Sequence, residues 1–315
     1  MDGTQRALGD PRIAVMVDQE DWHARRLVQA FAARGREAVC LSLTDCTFDS
    51  QATHGLRLPG FESRLPAGVF VRCVPGGSFE QVTRRLGVLH ALDALGVPLC
   101  NGPRAIERCV DKSTTTFRLQ SAGLPTPPTW TCEGRASASE LVAAEAGPAR
   151  PLVLKPLFGS QGRGLRLIER PEELPPAEEV DGVYYLQRFI ASPDGDWRDW
   201  RVLVAGRRPV AAMMRHGRQW ITNMHQGAEA EAVALEPIMA KLASQALSAV
   251  GAGYGGVDLI RDRHGELLVL EVNSMPAWSG LQKVSSLDIT QALADSFLAA
   301  LEHRSVPAPC QAAAV

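Results

Sequence analysis

The segment that most restricts this chain lies near its C-terminus. There Gly255-Gly256-Val257-Asp258-Leu259-Ile260 and Leu267-Leu268-Val269-Leu270-Glu271-Val272-Asn273 flank the polar stretch Asp262-Arg263-His264-Gly265. Two apolar runs about a Gly-bearing polar turn predict a β-hairpin. With Arg261 facing Glu266 across that turn, the strand period of two places Asp258, Glu271 and Asn273 on one sheet face. Acidic groups in apolar strands need charge compensation, and an oxygen-only donor set points to Mg²⁺ or Mn²⁺ rather than Zn²⁺. The alternative is an ordinary hairpin with an acidic face turned to water, so other segments must decide.

Upstream, Pro151-Leu152-Val153-Leu154-Lys155-Pro156 runs into Leu157-Phe158-Gly159-Ser160-Gln161-Gly162-Arg163-Gly164 and then Leu165-Arg166-Leu167-Ile168. This predicts a strand ending in a lysine, a loop with three glycines and a hydroxyl, and a second strand. Glycines let backbone N–H groups approach phosphate oxygens, and a neighbouring lysine supplies a point charge. The spacing is neither the dinucleotide fingerprint nor a G-x-x-x-x-G-K-[ST] loop. By itself such a hairpin is also compatible with a flexible turn.

At 315 residues the chain is long enough for two or three domains. Its 33 basic and 35 acidic residues leave a net charge of −2, so no global field recruits nucleic acid or an anionic membrane. Seven cysteines without a C-x-x-C pair indicate reduced thiols and neither a zinc site nor a disulfide framework. No apolar run is long enough to span a bilayer, no signal-peptide layout opens the chain, and the expected location is the cytoplasm. Both ends are expected to fray.

Strand Arg12–Asp18, a helix from Trp22 to Gly35 and strand Ala38–Leu43 predict a right-handed crossover in a parallel sheet. Strand Val69–Val74, helix Phe79–Leu95 and strand Val97–Cys100 repeat it. Residues 1–100 therefore read as a doubly wound α/β domain. A helix over Pro103–Ala122 carries Lys112, and an extended Pro-rich linker follows over Leu124–Thr129. A compact α+β lobe ends near Ile190. Beyond it, residues 191–315 alternate strands from Arg201 to Arg215, a helix over Leu235–Ala249, the acidic hairpin and a last helix over Ile289–Leu301.

In order along the chain stand Asp111-Lys112, the Lys155 strand with its glycine loop, Gln187-Arg188-Phe189-Ile190, and Asp199-Trp200-Arg201. After them come Met213-Met214-Arg215, Trp220-Ile221-Thr222-Asn223-Met224-His225-Gln226-Gly227, Gly256-Val257-Asp258 and Leu270-Glu271-Val272-Asn273-Ser274-Met275-Pro276. From about Arg12 to Ala300 this series resembles the ATP-grasp superfamily, and within it the RimK-type α-L-glutamate ligases. The resemblance implies an ATP-grasp fold, α/β and α+β, in three parts. These are a pre-ATP-grasp domain over 1–100, a central lobe with the glycine loop over 101–190, and a metal-bearing lobe over 191–315. It also implies an ADP-forming ligase that activates a carboxylate as an acyl phosphate and adds an amino acid, expected to be L-glutamate. Expected acceptors are a pterin cofactor, a peptide or a protein C-terminus.

The resemblance assigns nucleotide contacts to Lys112, Lys155, Gly159, Ser160, Gln161, Gly162 and Gly164, to hinge residues Gln187, Arg188, Phe189 and Ile190, and to Asp199. Asp258, Glu271 and Asn273 hold two Mg²⁺ or Mn²⁺ ions, with Glu271 bridging. Arg201, Arg215 and Asn223 act on phosphate or substrate, and Arg72 is a candidate amino-acid contact. Relatives of this kind are commonly homo-oligomers. Two departures stand out: Arg188 replaces the acid common at the hinge, and Ala277 replaces a glycine, so that Trp278-Ser279-Gly280 is expected to reshape the substrate side. A dipeptide or other amino-acid ligase, or a non-catalytic ATP-binding regulatory module, are the competing readings.

Overall fold

The structure, a computed structural model, describes residues 9–159, 162–192 and 195–305. It forms two units: one holds the residues up to Pro103 and from Thr290 onward, the other Arg104–Ile289.

The first unit carries β1 (Asp10–Met16), α1 (Trp22–Ala32), β2 (Ala38–Leu41), a small ribbon of β3 (Thr47–Phe48) with β4 (Leu56–Arg57), β5 (Pro66–Val71), α2 (Phe79–Ala94) and β6 (Leu99–Cys100). Strands order as β2-β1-β5-β6, all parallel. Ile13 through Met16 are fully buried without alternation, as a strand covered on both faces must be. Asp21 caps α1 by accepting the Ala24 N–H at 2.8 Å. Phe31, Phe70 and Phe297 meet edge to face with centroids 5.6–6.2 Å apart. Phe297 lies on the C-terminal helix Ile289–Ser305, so this helix covers the parallel sheet. That departs from the expected partition, which placed 191–315 together. Gly68 of β5 has only hydrogen where a Cβ would stand 2.7 Å from Leu301, which is how the helix lies so close.

The second unit begins with α3 (Pro103–Val110) and α4 (Lys112–Ser121), which replace the single helix expected over 103–122. The break is Asp111: its backbone is extended and its carboxylate accepts the Ser113 and Thr114 N–H groups, which starts a new helix. Lys112 thereby becomes the first residue of α4. An antiparallel sheet of order β7-β10-β8-β9 follows, from β7 (Thr129–Glu133), β8 (Leu152–Lys155), β9 (Arg166–Ile168) and β10 (Val183–Arg188). Helix α5 (Arg135–Glu145) covers one face through Ala138 and Val142, packed on Leu154, Tyr184 and Leu186.

The second sheet is antiparallel, of order β13-β12-β11-β14-β15. Its strands are β11 (Arg198–Ala205), β12 (Arg208–His216), β13 (Glu229–Ala232), β14 (Tyr254–Arg261) and β15 (Leu267–Asn273). Helix α6 (Pro237–Val250) packs on the face that carries Val202, Val204, Val257, Leu259, Val269 and Val272. The short α7 (Ser279–Val284) and α8 (Ile289–Ser305), the helix already placed on the first unit, complete the chain.

The acidic hairpin forms with a different register from the one expected. Asp262 accepts the N–H groups of His264 and Glu266, Gly265 adopts φ +83°, and Arg261 pairs with Leu267 instead of facing Glu266. A bulge then shifts the pairing, so that Leu259 opposes Val269 but Asp258 opposes Glu271 and Gly256 opposes Asn273. The bulge restores the expected outcome: the three oxygen-bearing residues share the face away from α6.

The six cysteines among the described residues are free thiols, and Cys310 lies outside the described residues. No helix among the described residues is long and apolar enough to cross a membrane.

Candidate active site

Strand register assembles the site. Arg201 opposes Asp258, Asp199 opposes Arg215, and Asp258 opposes Glu271, so one row of charge crosses β12, β11, β14 and β15 on the face not covered by α6. Arg201 grips Asp258 in a two-pronged pair, Nε to Oδ1 and Nη2 to Oδ2, each 2.7 Å. Arg215 does the same to Asp199 at 2.7 and 2.5 Å, and its Nη2 also reaches Asp258 Oδ2 at 2.9 Å. The anionic partner that the sequence demanded for these arginines is therefore internal. Asp199, expected among nucleotide contacts, has both oxygens on Arg215.

Three of the four are buried, with Arg215 only 3% exposed and Asp199 and Asp258 each 4%, and Arg201 is half-buried. Burial alone raises a carboxyl pKa, yet Arg201 and Arg215 together overcome it and hold Asp258 well below the ordinary carboxylate range. Asp199 has one guanidinium and the repulsion of Asp258, so burial prevails and its pKa rises. Burial disfavours the charged form of Arg215, but its two carboxylates outweigh this and raise its pKa.

Glu271 differs from its neighbours. Half-buried, it has no hydrogen-bond or ion-pair partner among the described residues. Asn273 Oδ1 accepts the Met275 N–H at 2.9 Å. A carboxylate offers about four lone-pair sites and an amide oxygen two. Glu271 therefore keeps all of its sites, Asp258 keeps one on Oδ1, and Asn273 keeps one. No group of three His, Cys, Asp or Glu side chains suited to a metal occurs among the described residues, so an ion here requires the Asn273 amide oxygen. That all-oxygen set fits Mg²⁺ or Mn²⁺.

Opposite this row stand the lysines. Lys155, at the end of β8, donates to Gln187 Oε1 at 2.7 Å. Gln187 Nε2 in turn donates to Thr129 Oγ1 at 3.1 Å and to the Tyr185 hydroxyl at 3.3 Å, and that hydroxyl bonds Thr116 Oγ1 at 2.8 Å. Gln187 thus aims Lys155, a role its hinge position did not reveal. The signal was available: Tyr185 and Gln187 alternate with Tyr184 and Leu186, which face α5. Lys112 donates to the carbonyls of Leu157 at 3.2 Å and Gly159 at 3.0 Å, tying the glycine loop to the start of α4. Burial lowers both lysine pKa values, and the Glu271 charge opposes that shift. Because the Arg–Asp quartet neutralises itself, two lysines face one carboxylate, and the excess is positive.

Lys112, Lys155, Gln187, Asp199, Arg215, Asp258 and Glu271 line a cleft of about 410 Å³ that also takes in Phe189, Ile190, Trp197, Trp220 and Asn223. Phe189 contacts Trp197 and Trp220 with centroids 5.8 and 5.7 Å away. Sequence reasoning did not single out Trp197, and named Trp220 only as the first residue of a family match. Asn223 Oδ1 caps a short turn by accepting the His225 N–H at 2.9 Å. Ser160 and Gln161 lie outside the described residues. Arg188 turns to the α5 side, where it donates to the Glu145 and Arg150 carbonyls and lies over Trp130 at 5.4 Å. Its side chain thus serves the α5 edge, and its residue borders the cleft at the hinge. Trp278 is fully buried, so it shapes the interior and not the cleft wall. Arg72 follows β5 in the first unit, near Asp21 and His23.

A family model described as a RimK-like ATP-grasp domain matches residues 110–297. The chain is 35% identical over 235 residues to the tetrahydromethanopterin:alpha-L-glutamate ligase of Methanococcus maripaludis, covering 73% of this chain and 78% of that relative. It is 29% identical over 293 residues to a probable alpha-L-glutamate ligase of Maridesulfovibrio salexigens, covering 88% and 91%. The solved structure of the ATP-grasp ligase PsnB complexed with minimal precursor, Mg and ADP superposes with a TM-score of 0.69. It covers 93% of this chain and 99% of that one at 21% identity, a likeness of fold.

Proposed function

The chain belongs to the RimK-like ATP-grasp family and is an ATP-grasp ligase, and on that premise we propose that it joins L-glutamate through its amine to a carboxylate acceptor. One observation carries the reading. Glu271, which has no hydrogen-bond or ion-pair partner among the described residues, stands beside a self-neutralised Arg–Asp quartet, facing two lysines and a glycine loop. The excess positive charge suits a polyphosphate, while the Glu271 carboxylate would suit a divalent cation that neutralises charge on it.

In this reading Lys112 and Lys155 hold the phosphates, and Lys155 keeps its direction through Gln187. The backbone of the glycine loop adds N–H donors. Glu271, Asn273 and the remaining Asp258 lone pair would hold divalent cations, which supply neutralisation of charge on the transferring phosphoryl group. The acceptor carboxylate attacks the terminal phosphorus of ATP, releasing ADP and forming an acyl phosphate. The glutamate amine then attacks that carbonyl, and phosphate leaves as the amide forms. Arg201 and Arg215 hold the Asp258 and Asp199 charges in place, so the cations meet a fixed donor set. The nature of the relatives supports a small acceptor with a carboxylate tail, such as a pterin conjugate.

The test uses acceptor carboxylate labelled with heavy oxygen, together with ATP, Mg²⁺ and isotopically labelled glutamate. Mass spectrometry should find one glutamyl unit on the acceptor and one heavy oxygen in the released phosphate. AMP with pyrophosphate, or phosphate free of label, would rule out the acyl-phosphate route.

A further inference from the structure

The glycine loop is held from both shoulders. Lys112 secures Leu157 and Gly159 on one side. On the other, Gln226 Nε2 donates to the Gly162 carbonyl at 2.7 Å. Gly162 adopts φ +67°, and a Cβ there would stand 2.9 Å from Ile221 Cγ2 and 3.0 Å from Gln226 Nε2. Side chains of the connection from β12 to β13 therefore pack closely on Gly162, whose left-handed φ favours glycine.

Gln226 is presented by a rigid support. It ends the 3₁₀ turn Met224–Gln226, capped by Asn223 through the His225 N–H and closed by Gly227 in the left-handed region at φ +87°. Its own N–H donates to the Asn223 carbonyl at 2.9 Å. The same connection meets the hinge through Trp220, edge-on to Phe189. One segment thus touches the phosphate loop at one end and the hinge at the other.

We propose that Gln226 is a positioning residue for the nucleotide phosphates: its amide N–H holds the Gly162 carbonyl, so that the backbone at Gly162 is aimed before ATP arrives. The contact also makes the β12–β13 connection part of the nucleotide site. The proposal rests on the chain being an ATP-grasp ligase and not on the identity of the acceptor.

Three substitutions test it. Gln226→Met keeps length without a donor, Gln226→Glu keeps shape but only accepts, and Gln226→Lys restores a donor. Affinity for a non-hydrolysable ATP analogue with Mg²⁺ is measured by calorimetry, KM for ATP and kcat by turnover, and loop exposure by tryptic cleavage after Arg163. The Met and Glu variants should lose about two- to tenfold in nucleotide affinity, the scale of one neutral hydrogen bond. Their KM should rise with kcat nearly unchanged and melting temperature unaltered, and Arg163 should be cut faster. Gln226→Lys should recover most of the loss. If the wild type binds the analogue and Gln226→Met binds it equally well, or if Gln226→Lys is as weak as Gln226→Met, this proposal fails alone. A wild type that binds no nucleotide overturns it together with the reading it rests on.

Discussion

Arg215→Met separates an arginine that holds the site together from one that waits for substrate. Arg215 is 3% exposed and is the only guanidinium on Asp199 among the described residues, while Asp258 keeps Arg201 when Arg215 is gone. The substitution leaves one buried carboxylate unpaired and another half-paired. Removing one partner of a buried pair costs about 3–5 kcal/mol. For a unit of this size each kcal/mol lowers the melting temperature by about 2–4 °C, so a fall of roughly 6–20 °C is expected. Arg201→Met leaves Asp258 on Arg215, and should cost only about 1–3 kcal/mol. Adding Asp199→Asn to Arg215→Met removes the stranded charge and should recover at least about 1 kcal/mol, a coupling that independent sites would not show. Urea unfolding followed by tryptophan fluorescence reads all four proteins. An Arg215→Met protein within about 1 kcal/mol of wild type, yet inactive, would refute the reasoning and return Arg215 to substrate binding.

Lys155→Met should weaken ATP binding by about tenfold or more, since a charge-assisted phosphate contact is worth about 1.5–3 kcal/mol, and calorimetry that finds equal affinity removes Lys155 from the phosphate site. Glu271→Gln should abolish ligation with an unchanged circular dichroism spectrum and should weaken Mn²⁺ binding measured by electron paramagnetic resonance in the presence of nucleotide; full activity would remove Glu271 as a metal ligand. In the first unit, hydrogen bonds from Arg12 hold Asp10 at a pKa of about 2, against 3.8 ordinarily. A depressed carboxyl stabilises above its unfolded pKa and loses that stability as pH falls through the folded one, so the contribution of this pair should vanish between roughly pH 4 and 2. Asp10→Asn should flatten that part of the acid unfolding curve, and an unchanged slope would count against the pair.

Why some of this could be read from the chain and some not comes down to range. The strands flanking the glycine loop and both long βα crossovers are local patterns, and each forms near its expected bounds. The helix break at Asp111 was also locally encoded, since Asp followed by Ser and Thr is an N-cap pattern, but an unbroken helical reading over 103–122 passes through it. The hairpin shows how a face can be right for the wrong register. Counting back by twos from Asn273 puts Val269 and Leu267 beside Glu271, yet both lie in the α6 core. In an all-apolar strand the phase is invisible, and only the three-residue step from Val269 to Val272 marks the bulge.

Partners of the arginines are harder still. Arg201 and Arg215 visibly require anions, but Asp258 reaches them across 57 and 43 residues through the order of strands in a sheet. A local pattern states that a buried guanidinium needs a partner and is silent on which carboxylate arrives. The same holds for Arg188: its position at the hinge placed it among the expected nucleotide contacts, whereas Glu145 at the end of α5 and the Arg150 carbonyl meet its side chain on the opposite face of β10. The side of the strand, which period two does supply, outweighs the motif position. Tyr185 and Gln187 face Lys155, so Arg188, one step on, must face away from it.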